Sequence, residues 1–83
     1  MQQVLLRPGA VVHVGEQASV QFKGERALTF QVIRIEPRTT YDGWLWLEGF
    51  VLGPGGEPVR RRRIFVCAEG LLPAYATVSS GTP

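Results

Sequence analysis

Residues 42–68 constrain the fold of this chain more than any other stretch. Trp44-Leu45-Trp46-Leu47-Glu48-Gly49-Phe50-Val51-Leu52 is aromatic or aliphatic apart from Glu48 and Gly49, a composition suited to a pleated, half-buried strand. Gly53-Pro54-Gly55-Gly56-Glu57-Pro58 cannot extend it, because glycine is permissive and proline has no backbone donor to give to a ladder. Residues 59–68 then return as a second arm. Successive side chains point to opposite faces, so few registers satisfy both arms. Pairing Leu52 with Val59 sets Phe50 against Arg61, Glu48 against Arg63, Trp46 against Phe65 and Trp44 against Cys67. On the other face Leu47 meets Ile64 and Leu45 meets Val66. A shift of one residue would put Glu48 opposite Ile64 or Arg62 and break both aliphatic pairs. This register predicts a Glu48–Arg63 ion pair and an arginine over the Phe50 ring, each contributing about 0.2–1 kcal/mol.

The same reasoning applies upstream. Residues 10–14, Ala-Val-Val-His-Val, read as a short strand between Arg7-Pro8-Gly9 and Gly15. Residues 18–23 alternate, with Ala18, Val20 and Phe22 on one face and Ser19, Gln21 and Lys23 on the other, the pattern of a half-buried antiparallel strand. With Gly24-Glu25-Arg26 as a three-residue loop, Lys23 pairs with Ala27, and Phe22, Val20 and Ala18 fall opposite Leu28, Phe30 and Val32. The strand from Ala27 ends at Ile35, since Pro37 restricts the residue before it and cannot serve a central ladder. Residues 36–43 form a polar connection. Residues 69–73 suit a turn or short 3₁₀ piece, and residues 74–83 suit a disordered tail, leaving one domain over residues 1–73.

Five short strands within one small domain predict an all-β fold, a five-stranded antiparallel barrel of the SH3-like kind. A five-stranded oligonucleotide-binding (OB) barrel is the alternative. Gly49, in mid-strand, suits a bend or bulge at a barrel corner. Arg7-Pro8-Gly9-Ala10-Val11-Val12-His13-Val14 resembles the first strand of SH3-like barrels such as the KOW and Tudor groups, and also the start of the MazF-type ribonuclease toxins. The likeness covers eight residues and assigns no family. It implies a binding barrel in the first case and a ribonuclease in the second.

Eighty-three residues leave no room for a second core, and a chain of this size buries only about 60–65% of its extended surface. The formal charge of +2 is slight; it permits a nucleic-acid partner without requiring one. A single cysteine, Cys67, excludes an internal disulfide and a cysteine metal cluster. The first eight residues do not read as a signal peptide, and no apolar stretch approaches the ~20 residues that span a bilayer. The expected location is the cytoplasm, with no membrane partner.

No catalytic set stands out. His13, Cys67 and Asp42 are each alone of their type, metal sites want several such ligands, and no cofactor is implied. A Cys67–His13 dyad competes with the plainer reading of a buried cysteine and a surface histidine. Gly53-Pro54-Gly55-Gly56 lacks the lysine and helix of a phosphate loop and reads as a hairpin turn.

Arg60-Arg61-Arg62-Arg63 is the sharpest feature, and on a strand it is two pairs on two faces. Arg61 and Arg63 share a face with Trp44, Trp46, Phe50 and Phe65, and these six are the candidate binding residues. Cations beside aromatic platforms suit single-stranded nucleic acid. The plainer reading is a solvated strand whose charges guard an edge. Tudor-like barrels hold methylated cations on aromatic faces, but these arginines would repel one.

The aliphatic set Leu45, Leu47, Val51, Ile64 and Val66 competes with the tryptophans for the interior, so one face of the hairpin is expected to be an interface. The reading is therefore a non-enzymatic binding module, nucleic-acid-binding or a regulatory accessory protein. A protein-interaction domain or homodimer using the Trp/Phe face is the alternative, and a ribonuclease of the toxin type comes third.

Overall fold

The computed structural model describes residues 5–36 and 42–74. They form a five-stranded antiparallel sheet with no α-helix: β1 (Val11–Val14), β2 (Leu28–Ile35), β3 (Trp44–Leu52), β4 (Pro58–Cys67) and β5 (Leu72–Pro73). The order across the sheet is β4-β3-β2-β1-β5.

The β3–β4 hairpin takes the expected register from Trp44↔Cys67 to Phe50↔Arg61, with Leu47↔Ile64 and Leu45↔Val66 on the other face. It departs at the turn. Leu52 pairs with Pro58 rather than Val59, because a bulge between Val51 and Leu52 leaves Val59 as an extra residue. The turn is tied by Gly53 N–H to the Glu57 carbonyl at 2.8 Å and Gly56 N–H to the Gly53 carbonyl at 2.9 Å. Gly56 has φ +86°, a conformation open chiefly to glycine. The glycine-rich stretch is thus a hairpin turn. Pro58 is tolerated because β4 is an edge strand.

Residues 18–23 do not form the expected strand. Val20–Phe22 and Gly24–Arg26 are 3₁₀ turns, and β2 pairs with β1 instead, Val12 opposite Phe30 and Val14 opposite Leu28. Ser19 explains the change locally. Its side chain accepts from Gln21 N–H and its carbonyl accepts from Phe22 N–H, which winds the chain into a turn. Ala18 and Phe22 become buried while Val20 is 77% exposed, so the apolar triplet that alternated in sequence is split. The fifth strand is Leu72–Pro73, reached through a 3₁₀ turn at Ala68–Gly70 and paired with His13 and Val12.

The sheet is not closed into a barrel. The segment expected to complete the wall is wound into turns, and β5 is only two residues long. β4 and β5 therefore remain the two edges. The concave side is covered all the same. Cys67 N–H donates to the Ala18 carbonyl at 2.7 Å, which brings the end of β4 onto the β1–β2 connection. Val12, Val14, Ala18, Phe22, Phe30, Val32, Leu47, Ile64, Val66 and Leu71 make up the buried core.

Gly49 sits opposite Val32, where β2 bulges before Arg34. The bulge switches the parity of β2. Phe30 and Val32 point inward, and after the extra residue Ile35 again faces Leu47 on the core side. A β-carbon on Gly49 would overlap the Gln31 carbonyl oxygen and stand 2.8 Å from a Phe30 ring carbon. The irregularity expected at Gly49 lies instead on the neighbouring strand, where β2 bulges between Val32 and Arg34.

The tail expected over residues 74–83 falls, from residue 75 onward, outside the described residues, as do residues 37–41 of the polar connection. Among the described residues no helix is long and apolar enough to cross a membrane.

Candidate functional site

The competition between the two hairpin faces is decided by β2. Its core-side residues Phe30 and Val32 lie beside the β3 positions Val51 and Gly49, and Ile35 lies beside Leu47. The aliphatic set therefore goes inside: Leu47, Ile64 and Val66 are buried, with Leu45 and Val51 packed against them. Trp44, Trp46, Glu48 and Phe50 of β3 point the other way, with Arg61, Arg63, Phe65 and Cys67 of β4.

All six sequence-predicted residues thus share the convex face of the hairpin. Phe65 sits between the tryptophans, with ring centroids 5.2 Å from Trp44 and 5.0 Å from Trp46, both tilted. Such spacing favours edge and offset contacts, worth about 0.5–1.5 kcal/mol per pair beyond burial. The three rings are each half-buried, so the cluster is partly presented to solvent.

The charges on this face are arranged differently from expectation. Glu48 does lie opposite Arg63 in the ladder, but its carboxylate bonds diagonally to Arg61, at 3.0 Å from Nε and 2.6 Å from Nη2. Arg63 instead makes a two-pronged bond to Glu36, at the end of β2, with Nη2 at 3.1 Å from Oε1 and Nε on Oε2. The hydrogen bond to Glu36, helped by the charges of Glu36 and Glu48, raises the Arg63 pKa further above its ordinary value. The arginine-over-ring contact is also relocated. Arg63 lies 4.0 Å from the Trp46 ring centroid, whereas among the described residues Phe50 has no such contact. Both arginines of this face are therefore neutralised in place, and one face of Trp46 is already covered.

The other two arginines point to the concave side. Arg62 stands opposite Gly49 and lies 5.5 Å over the ring of Phe22. Arg60 stands opposite Val51. Sequence reasoning passed over this pair because it took residues 18–23 for a flat strand. Only the wound form carries Phe22 under Arg62. Among the described residues, His13 and Cys67 share no hydrogen bond, and no three His, Cys, Asp or Glu side chains gather at one point.

Comparison with known protein families, characterised proteins and solved structures finds no match for this chain. Its function has to be argued from the two faces of β3 and β4.

Proposed function

We propose that the protein is a non-enzymatic binding module that associates with protein through the convex face of β3–β4, and that a second copy of the chain is the occupant this face fits best. The observation that carries the reading is the Trp44–Phe65–Trp46 cluster flanked by arginines already paired with Glu48 and Glu36. Aromatic residues and arginine are the types enriched at the centres of protein interfaces. A face carrying both signs of charge can also meet its own copy about a two-fold axis, arginine of one against carboxylate of the other.

The nucleic-acid reading of this face draws less support from the same geometry. Its two cations are compensated, and the Trp46 surface a base would need is shared with Arg63 and Phe65. Cytoplasmic location and an accessory, regulatory role belong to the proposal. So does an SH3-like connectivity, short of a closed barrel, as the finer description of the fold, supported by the β1–β4 meander and the 3₁₀ turn before β5.

Sedimentation velocity at micromolar concentration tests the reading. The wild type should sediment as a dimer that dissociates on dilution, and Trp46→Ser should shift the equilibrium toward monomer by about tenfold or more, loss of a central aromatic costing roughly 2 kcal/mol or more. A wild type that stays monomeric at the highest concentration contradicts self-association.

A further inference from the structure

The charge of the chain is concentrated on the side that the proposed interface does not use. A groove of about 770 Å³ opens between the wound β1–β2 connection and the turn end of β3–β4. Arg26, Arg60 and Arg62 line it, with Glu25 as its one carboxylate, beside Val20, Phe22 and Val51. The groove therefore carries a formal excess of two positive charges, three guanidiniums less one carboxylate, equal to that of the whole chain. None of the three arginines is ion-paired among the described residues, in contrast to Arg61 and Arg63.

Arg62 is the anchor. Its guanidinium rests on the Phe22 ring, which leaves the edge of the fork free while restricting its orientation. A planar, pre-oriented guanidinium is suited to two-pronged bonding of an oxyanion. Arg60 lies two residues away on the same face of β4, roughly 6.6–6.8 Å along the strand. The arginines thus present positive charge at intervals along one wall.

We propose that this groove binds the sugar-phosphate backbone of a single-stranded nucleic acid, with Arg62, Arg60 and Arg26 each engaging phosphate. Such a strand carries a charge at every unit, and a positively charged groove can track its backbone. Of its apolar lining residues, Phe22 is buried beneath Arg62 and Val20 stands out into solvent. A concave channel also suits a single strand better than the rigid, convex surface of a duplex. The site is independent of the convex face, so the two proposals can fail separately.

Fluorescence anisotropy of a short labelled oligothymidylate, titrated with the full chain between about 50 and about 200 mM salt, tests the assignment. Binding should weaken steadily as salt rises. The double change Arg60→Ser with Arg62→Ser should weaken it by about tenfold or more. The same change should lower the slope of log affinity against log salt by about 1.4, two phosphates at roughly 0.7 each. Arg61→Ser with Arg63→Ser should leave affinity within about twofold. Because Arg62 packs on Phe22, two further variants separate binding from folding. Arg60→Ser alone changes an exposed side chain and should still weaken binding about threefold. Arg62→Lys keeps the charge but loses the fork, and should fall between wild type and the double variant. Trp46→Ser should bind as the wild type does. Absence of binding at the lowest salt overturns the proposal, as do equal losses from the two arginine pairs. Tighter binding of a duplex, or of a polyglutamate peptide with the same arginine dependence, overturns it as well.

Discussion

Gly49→Ala should destabilise the chain by about 3 kcal/mol or more. On propensity alone alanine in a strand is better than glycine by roughly 0.5–1 kcal/mol, so the expected sign is opposite to the intrinsic one. Sterics decide it. The added β-carbon would overlap the Gln31 carbonyl oxygen, which is backbone, and press on the Phe30 ring, which is wholly buried. Neither can yield without breaking the β2–β3 ladder at the bulge or opening the core. Overpacking typically costs 1–3 kcal/mol, and a rigid backbone obstacle belongs at the upper end or beyond. Gly56→Ala is the control. Nothing lies within 4 Å of its added carbon, so only its φ of +86° penalises it, at about 1–2 kcal/mol. Urea denaturation of both variants checks the order. A Gly49→Ala protein as stable as the wild type would mean that β2 and β3 do not approach as described.

Phe22→Ala should cost about 3–5 kcal/mol, the range for deleting a buried aromatic side chain. A domain of this length has a total stability of roughly 4–12 kcal/mol, so the variant should be partly or wholly unfolded at room temperature. Phe22 is 2% exposed and contributes to a core built mostly from strand residues, although it stands on a 3₁₀ turn. Its ring also seats Arg62. Phe22→Leu should therefore retain the fold at a smaller cost while loosening Arg62, and so lower oligonucleotide affinity more than it lowers stability. A cost below about 1 kcal/mol for Phe22→Ala would show that the wound connection is not part of the core.

The two phenylalanines nearest the groove mark what the sequence could and could not convey. Phe30 lies on an alternating run that forms strand β2. Phe22 lies on a run that alternates equally well and is not a strand. Ala18 and Phe22 are four apart, a spacing that alternation and a helical turn both satisfy, and the deciding hydrogen bonds come from Ser19. The β3–β4 register was legible because two long arms had to agree at many positions at once. Its faces were not, since both were apolar, and only the inward residues of β2 choose between them. Glu48 was visible as a cross-strand partner, but the choice of Arg61 over Arg63 depends on Glu36, which lies 27 residues before Arg63. β5 left almost no trace, being two residues ending in a proline.

Charge exchange across the convex face tests the proposed function most directly. Arg61 is exposed and Glu48 half-exposed, so neither reversal should unfold the chain. Arg61→Glu makes the face acidic and Glu48→Arg makes it basic, so that each variant meets like charge on its own copy. Sedimentation should show each variant alone as a monomer at micromolar concentration, and an equal mixture of the two as a dimer. Both variants as dimeric as the wild type, or a mixture that stays monomeric, would contradict association through this face.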